Sequence, residues 1–302
     1  MANRGSESIA AIRVTAPAKI NLYLHVTGRR ADGFHLLDSL VAFAGIGDTV
    51  AVRPASRLDL VIDGPLADRL PKGNQNLVLA AARLLAKVTG TGDGAAIQLT
   101  KRLPVAAGLG GGSADAAAAL KALAALWGLA EAGAVLGAIA ETLGADVPVC
   151  LAGCTSFVGG IGERITPAPV LPRAWLVLAN PGVALATPRV FAARTGRFAK
   201  AARFTEPPAA AGGLAAVLAL RSNGLTEAAV SLAPAVDETL AALAAEPAAL
   251  LTRMSGSGTT CFALFAEAAE AEAAAARLTT AHPDWWVRAA PLLGQTPPGA
   301  VD

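Results

Sequence analysis

The chain has 302 residues, of which 54% are hydrophobic and 16% are charged, and its formal net charge at pH 7 is +2. This length predicts one large or two medium domains with a substantial hydrophobic core. The small net charge argues against a nucleic-acid-binding surface, and charged or helix-breaking residues interrupt every apolar run before it reaches the roughly 20 residues of a membrane-spanning helix.

The N-terminus and the cysteines bear on the cellular compartment. Residues 1–11 carry charged side chains and no apolar segment of the signal-peptide type, so we predict a cytoplasmic protein. The odd number of cysteines (Cys150, Cys154 and Cys261) and their apolar neighbours predict buried, reduced thiols. A metal site is not predicted, because Cys150 and Cys154 lack a second pair of ligands.

The first half of the chain contains both strand and helix patterns. Alternating apolar residues predict strands at 12–14, 20–26, 49–53, 58–62 and 96–103. A helical period predicts helices at about 76–88, 113–127 and 130–143. After a turn at 144–146, further strands are predicted at 147–151 and 155–158.

The strand at 20–26 has one apolar face and one polar face. These faces carry Ile20, Leu22, Leu24 and Val26 on one side, and Lys19, Asn21, Tyr23 and His25 on the other. An edge strand with a solvated face fits this pattern as well as a strand that faces an active site. The pattern by itself leaves both interpretations open.

A glycine-rich stretch at 103–115 (LPVAAGLGGGSAD) stands between a predicted strand and a predicted helix. This order presents free backbone N–H groups and the positive end of a helix dipole, which suits an oligophosphate. Glycine lets the backbone approach phosphate oxygens closely. The stretch lacks the Gly-Lys-[Ser/Thr] of a Walker A loop, and its glycines do not match the dinucleotide fingerprint. A glycine-rich turn without a ligand is the alternative.

The second half begins at a proline cluster, 167–172, which predicts a domain boundary. Strands are predicted at 174–179 and 285–290, helices at 213–220, 224–231, 235–245 and 267–280, and a strand–loop–strand unit at 250–265. Residues 203–213 are predicted to form a mobile surface loop. Because strands and helices interleave without a regular βαβ repeat, we predict an α+β fold. The predicted domains are 10–166 and 167–295, with flexible tails at 1–9 and 296–302.

Four segments resemble the motifs of the GHMP kinases, a superfamily of small-molecule kinases. They are the strand segment 16–26 (APAKINLYLHV), the glycine loop at 104–113, the turn at 143–148 (LGADVP) and a second glycine-rich loop at 254–262 (MSGSGTTCF). The block 27–35 (TGRRADGFH) resembles the corresponding motif in the branch of the superfamily that acts on a cytidyl substrate. The resemblance implies a two-domain fold: an N-terminal mixed sheet with helices, of ribosomal-S5-like type, and a C-terminal α/β sandwich, with the active site in the cleft between them.

The resemblance also implies an activity. It points to ATP as co-substrate, Mg²⁺ as cofactor and a small cytidyl molecule as acceptor, with no nucleic-acid or membrane partner. The implied reaction is phosphorylation of the 2-hydroxyl of 4-diphosphocytidyl-2-C-methyl-D-erythritol in the non-mevalonate isoprenoid route. The alternatives are a GHMP kinase of homoserine or mevalonate type, a non-catalytic nucleotide-binding protein on the same fold, and a dinucleotide-dependent oxidoreductase. The sequence does not predict an oligomeric state.

Two residues are assigned to catalysis by the resemblance. Asp146 matches the superfamily's proton acceptor, and Lys19 would favour the ionised carboxylate and offset charge on the transferring phosphoryl group. From the residues alone, a turn aspartate that caps its own backbone explains Asp146 equally well. Asn21 is expected to hold the acceptor arm.

The other candidates bind the substrates. The cytosine base is expected to stack between Phe34 and Phe191, with His35 at its edge, and Phe34 replaces a tyrosine that is frequent in the family. The implied ATP-binding residues are Asn76, Leu77 and Lys101 around the adenine, and Pro104, Gly108, Leu109, Gly110, Gly111, Gly112 and Ser113 along the phosphates. Ser255, Gly256, Ser257, Gly258 and Thr259 are expected to close over the gap between the phosphates and the acceptor. Ala106 stands where family loops often carry glycine.

Overall fold

The computed structural model describes residues 10–70, 76–91, 94–129 and 132–294, so the predicted tails lie outside the described residues. The strands are β1 (Ile12–Arg29), β2 (His35–Ala55), β3 (Asp59–Asp63), β4 (Gly94–Thr100), β5 (Ser156–Gly160), β6 (Arg164–Pro167), β7 (Trp175–Asn180), β8 (Leu251–Met254), β9 (Cys261–Phe265) and β10 (Trp286–Leu293). The α-helices are α1 (Leu77–Thr89), α2 (Gly111–Leu126), α3 (Gly133–Leu143), α4 (Val147–Ala152), α5 (Thr187–Ala193), α6 (Ala211–Ala219), α7 (Thr226–Leu232), α8 (Ala235–Ala244) and α9 (Ala268–Ala281).

The first half of the chain is built on the long antiparallel pair β1 and β2. The predicted strands at 12–14 and 20–26 are parts of β1, which continues through Pro17 because the pairing register shifts between Pro17 and Ala18. A proline is tolerated in a strand at such an irregularity. β2 also pairs with β4 and β5, while β3 and β6 extend the sheet beyond them.

The helix that carries the glycine loop, α2, packs on β1 and β2 and against α1 and α4. Alanine favours helix and has a small side chain, so the buried alanines of α2 let the helix lie close to the sheet. α1 begins where the Asn76 side chain accepts a hydrogen bond from Val78 N, and it ends at Gly90 in a left-handed conformation. Packing on several sides therefore fixes the helix start that follows the glycine loop.

The strand predicted at 147–151 is wrong, because this segment forms the helix α4. Its run of valines favours strand by local propensity. Pro148 lies in the first turn, where a proline is tolerated, and Gly153 ends the helix with φ +65°. The buried side chains of Val147 and Val149 join the core around α2, so tertiary packing overrides the local preference.

The second half contributes the antiparallel strands β10, β7, β9 and β8, in that order across the sheet. The end of β10 pairs with β2, which joins both halves into one sheet. An apolar core is also shared between them: Ile20 and Leu22 of β1 belong to the same cluster as Leu176 and Phe262. The mixed sheet with packed helices confirms the predicted α+β class, while the exact domain limits stay a prediction.

The segment predicted as a mobile surface loop is held in place at its start. Asp38 accepts hydrogen bonds from Ala202 N and from Arg203 Nε, both at 2.8 Å, and it also accepts one from the Tyr23 hydroxyl at 2.9 Å. Helix α6 then begins at Ala211. Residues 203–210 do form a surface loop, but residues 211–213 belong to α6, and a buried carboxylate that the sequence pattern did not identify anchors the start of the loop to the β1–β2 pair. The mobility of this loop stays a prediction.

The cysteines are free thiols, and Cys150 and Cys261 are buried. Burial raises the pKa of both thiols, which makes them poor nucleophiles and poor metal ligands. Among the described helices, none has the length and apolar character needed to cross a bilayer.

Candidate active site

The glycine loop leads directly into α2, which begins at Gly111, two residues before the predicted start. Gly110 precedes the helix with φ +61°, and Gly108 has φ +76°, so both lie in the left-handed region that favours glycine. The backbone N–H groups of the first helical turn have no acceptor within the helix, and Gly112 is exposed to solvent. This helix start is a suitable site for an anion.

Ala106 also has a positive φ, +52°. An alanine in this region carries a steric penalty that glycine does not. The replacement of glycine noted in the sequence therefore introduces backbone strain just before the glycines of the loop.

The second glycine-rich loop, residues 254–260, lies directly on the first. The Ser255 hydroxyl donates to Gly108 O at 2.9 Å, and Thr260 N donates to Ala107 O at 3.1 Å. A β-carbon on Gly108 would lie 2.2 Å from Ser255 O, so this contact requires glycine. The structure thus joins loops from the two halves of the chain, as the motif resemblance implies for the closing loop.

The Ser255 hydroxyl also accepts a hydrogen bond from Asn21 N at 3.1 Å, which ties β1 to both glycine loops. The far side of the loop is held by Asn223, whose side-chain amide donates to Met254 O and Gly256 O, both at 2.8 Å. Sequence reasoning missed Asn223, because nothing local to it distinguishes a loop-holding amide from an ordinary turn residue.

Lys19 and Asp146 form an ion pair at the edge of the glycine loop, with 2.9 Å between Lys19 Nζ and Asp146 Oδ2. Lys19 is buried and its backbone N–H donates to Leu109 O at 2.9 Å, so β1 and the loop are fixed together. The Asp146 side chain is 45% exposed, although its immediate sequence neighbours are apolar. It precedes α4 but makes no capping hydrogen bond, so the structure does not support the backbone-capping interpretation.

Asn21 lies on the same face of β1 and has an unused acceptor. Its amide nitrogen donates to Ser39 Oγ at 2.9 Å, and this hydroxyl in turn donates to Tyr23 O. Asn21 Oδ1 is buried and has no hydrogen-bond partner among the residues that the structure describes. A buried polar atom without a partner is costly, and a donor group of a bound substrate would satisfy it.

The aromatic residues predicted for base recognition are arranged differently from the expected sandwich. The rings of His35 and Phe191 stack with centroids 5.1 Å apart, whereas the Phe34 side chain is 59% exposed on the turn before β2. The Thr187 and Ser257 hydroxyls are 2.8 Å apart, which connects α5 to the second glycine loop. The structure therefore brings His35, rather than Phe34, onto the face of Phe191.

The charge around His35 favours its neutral form. Burial lowers the pKa of His35 from 6.5, and the guanidinium groups of Arg29 and Arg194 lower it further.

We expect Arg194→Gln to raise the pKa of His35 in an NMR titration of the imidazole, because one repulsive charge is lost. Arg288→Gln, at an exposed arginine beside Trp286, is the control and should leave that pKa unchanged. An unaltered value in Arg194→Gln would contradict the electrostatic cause.

The residues implied around the adenine occupy different environments. Asn76 caps α1 and is half-buried, as is Leu77, and so is Pro104 from the set implied along the phosphates. A β-carbon on Gly112 would lie 3.6 Å from Leu77 Cδ1, which places Leu77 beside the start of α2. The Lys101 side chain is fully buried and bonded to two carboxylates, so its ammonium group is not free to line an adenine pocket.

The partners of Lys101 are Asp48 and Asp115, neither of which was predicted as a site residue. Lys101 Nζ donates to Asp48 Oδ2 and, at 2.8 Å, to Asp115 Oδ2. Burial raises the pKa of the Asp115 carboxyl, Lys101 opposes this rise and Asp48 adds to it. In the sequence, only the position of Asp115 directly after the glycine loop could have indicated that it belongs to the site.

Comparison with known proteins agrees with this architecture. The model of the GHMP kinases N terminal domain matches residues 76–154, and that of the GHMP kinases C terminal domain matches residues 209–284. A 4-diphosphocytidyl-2-C-methyl-D-erythritol kinase of Paramagnetospirillum magneticum is 60% identical over 280 residues, which cover 93% of this chain and 98% of that protein.

Solved structures extend the comparison. A crystal structure of 4-(cytidine 5'-diphospho)-2C-methyl-D-erythritol kinase is 36% identical, with a TM-score of 0.78, and the match covers 94% of this chain and 100% of that one. A homoserine kinase from Cytophaga hutchinsonii has a TM-score of 0.72 with 99% of each chain covered, but it is 19% identical and shares the fold alone.

Proposed function

The chain belongs to the 4-diphosphocytidyl-2-C-methyl-D-erythritol kinase family of the GHMP kinases, and we propose that it transfers the γ-phosphoryl group of ATP to the 2-hydroxyl of 4-diphosphocytidyl-2-C-methyl-D-erythritol. It is therefore an ATP-dependent small-molecule kinase in the non-mevalonate route to isoprenoid precursors. The homoserine and mevalonate alternatives are disfavoured by the block 27–35 and by the low identity to the homoserine kinase.

The observation that carries the proposed mechanism is the Lys19–Asp146 ion pair beside the phosphate-binding helix start. A β-carbon on Gly110 would lie 3.1 Å from Lys19 Cβ and 3.3 Å from Lys19 Cε, so the lysine side chain runs past the end of the glycine loop. A carboxylate and a cation thus stand next to the anion site. A non-catalytic nucleotide-binding protein would not require this pair.

In the proposed reaction, Asp146 accepts the proton of the 2-hydroxyl while that oxygen bonds to the γ-phosphorus and ADP leaves. Lys19 offsets the negative charge that spreads over the transferred group. The free Oδ1 of Asn21, which faces the second glycine loop, is suited to accept a hydrogen bond from a hydroxyl of the acceptor. These residues need to supply mainly orientation and charge, because phosphoryl transfer makes little covalent demand on the protein.

Mg²⁺ forms part of the proposal as the ion bound to ATP. The described residues contain no group of three or more His, Cys, Asp or Glu side chains suited to hold a metal ion. Mg²⁺ typically takes few protein ligands and is held through substrate phosphates, so we propose that it enters the site with ATP. When bound, the ion neutralises charge on the phosphate oxygens.

We also propose a cytoplasmic location, because the reaction consumes ATP. The expected absence of a nucleic-acid partner stays a prediction from the small net charge.

The test of the function is a turnover assay with a panel of acceptors. ADP formation should be supported by 4-diphosphocytidyl-2-C-methyl-D-erythritol and not by homoserine or mevalonate. Turnover of homoserine or mevalonate in preference to the cytidyl compound would assign the chain to another branch of the superfamily. ATP binding without turnover of any acceptor would favour the non-catalytic alternative.

Base recognition is proposed to depend on Phe191, which stacks with His35. A base–aromatic stack contributes roughly 1–3 kcal/mol, so Phe191→Ala should raise the KM for the cytidyl substrate about tenfold or more and leave the KM for ATP unchanged. Phe198→Ala, at an exposed phenylalanine under the Arg194 guanidinium, is the matched control. If Phe191→Ala raised only the KM for ATP, Phe191 would belong to the ATP pocket and not to the pocket of the cytidyl substrate.

A further inference from the structure

A buried ionic cluster lies beneath the glycine loop and connects the two chain segments that flank it. Asp48, Lys101 and Asp115 are 0%, 1% and 2% exposed. Asp48 is on β2, Lys101 follows the end of β4, and Asp115 is in the first two turns of α2. The ammonium group of Lys101 therefore bridges a strand of the sheet and the helix that begins at the loop.

The same cluster holds the backbone at the start of the loop. Asp48 Oδ1 accepts hydrogen bonds from Arg102 N and, at 2.9 Å, from Leu103 N. Its other oxygen, Oδ2, accepts from Lys101 Nζ. One carboxylate thus fixes the chain before the loop, and through the shared lysine it is connected to the helix after the loop.

The ammonium group lies immediately under the first residue of α2. A β-carbon on Gly111 would be 3.3 Å from Lys101 Nζ and 3.8 Å from Asp48 Oδ2. The ammonium group is therefore close enough to support the backbone at the start of α2, where the free N–H groups lie. Burial of three charges in one place is costly unless their geometry is maintained, so the cluster has few alternative arrangements.

We propose that Asp48, Lys101 and Asp115 act as one positioning unit, here named the loop clamp, that holds the N–H groups of residues 110–113 in the arrangement that binds the ATP phosphates. This inference rests on the proposed function. The clamp residues are buried and act through the backbone, because they set the distance between the two ends of the glycine loop.

The test compares two substitutions of Asp115. Asp115→Ala breaks the link to α2 but leaves the buried Lys101–Asp48 pair balanced in charge. Outer partners that orient a binding group contribute about 10–100-fold at metal sites, so we expect about a tenfold loss of affinity for a nonhydrolysable ATP analogue in calorimetry. The KM for ATP should rise by a similar factor, while the KM for the cytidyl substrate stays unchanged. Asp115→Asn retains an acceptor oxygen for Lys101 and should restore most of the affinity.

A destabilised control separates positioning from stability. Leu123→Ala opens a cavity under the same helix, away from the cluster, and should lower the melting temperature without changing ATP affinity. If Asp115→Ala does not fold, Asp115→Val, which fills more of the same space without an acceptor oxygen and keeps the Lys101–Asp48 pair, takes its place with the same expected loss.

The outcomes distinguish this inference from the proposed function. Wild-type affinity in Asp115→Ala, or an equal loss in Leu123→Ala, would overturn the loop clamp while leaving the kinase assignment intact. Failure of the wild-type protein to bind the analogue would overturn the proposed function itself.

Discussion

Asp146→Asn should lower kcat by about 10²–10⁴-fold, the usual contribution of a positioned general base. The 2-hydroxyl of the acceptor is a weak acid, so its proton must be taken up as the new bond forms. Asparagine retains the size and a hydrogen-bonding oxygen but cannot accept that proton. Because this interaction strengthens in the transition state, the KM values for both substrates should change little. Steady-state kinetics with each substrate varied would measure both effects.

The control for this variant is Asp237→Asn, an exposed acidic residue in the first turn of α8. It removes the same charge and should leave kcat unchanged. The melting temperature of Asp146→Asn should fall, because the buried Lys19 ammonium loses its charge partner, although Asp146 itself is 45% exposed and makes no capping bond. A folded Asp146→Asn enzyme with near-normal kcat would disprove the assignment of Asp146 as the base.

Gly110→Val should weaken ATP binding by about tenfold to a hundredfold, equivalent to about 1.4–2.8 kcal/mol. The backbone at Gly110 has φ +61°, which a β-branched residue rarely adopts. Its β-carbon would also lie 3.1 Å from Lys19 Cβ, so the valine would displace both the loop and the lysine. Calorimetry with a nonhydrolysable ATP analogue would measure the loss, and kcat should fall as well because Lys19 moves.

Gly90→Val is the control that separates the loss of stability caused by backbone strain from the loss of ATP affinity caused by a change at the glycine loop. Gly90 ends α1 with φ +68°, close to that of Gly110, and no atom of the described residues lies within 4 Å of its added β-carbon. Both variants should lose stability through the same strain, but only Gly110→Val should lose ATP affinity. Equal ATP affinity in the two folded variants would remove the glycine loop from the ATP site.

Several features of the fold could be predicted because their causes are local. The helical periods at 76–88 and 235–245 agree with α1 and α8 to within one residue at each end. By contrast, the strand predicted at 147–151 is a helix, since the packing of Val147 and Val149 in the core outweighs the strand preference of valine. The paired length of β2 was also underestimated, because pairing with β1 and β5 extends it beyond its strongest alternating segment, 49–53.

The candidate site likewise combines features that local sequence predicts with features that depend on tertiary packing. Glycine positions report a backbone conformation and a close approach, so a tight glycine loop leading into a helix could be predicted from the sequence, while phosphate binding at this loop stays a prediction. The arrangement of the aromatic residues could not be predicted from the sequence, since the stacking of His35 on Phe191 joins β2 to a helix in the other half of the chain. Lys101 was placed in an adenine pocket by motif position, whereas its burial depends on Asp48, which lies 53 residues away in the sequence.

By itself, the sequence determined which chemical groups are present and which backbone segments have unusual freedom: a glycine loop before an alanine-rich helix, a polar strand face, and an aspartate at a turn. The tertiary structure alone decided which groups meet. Lys19 and Asp146 are 127 residues apart, and Asn21 and Ser255 are 234 apart. Contacts over such separations depend on strand register and helix packing throughout the molecule, which no local pattern encodes.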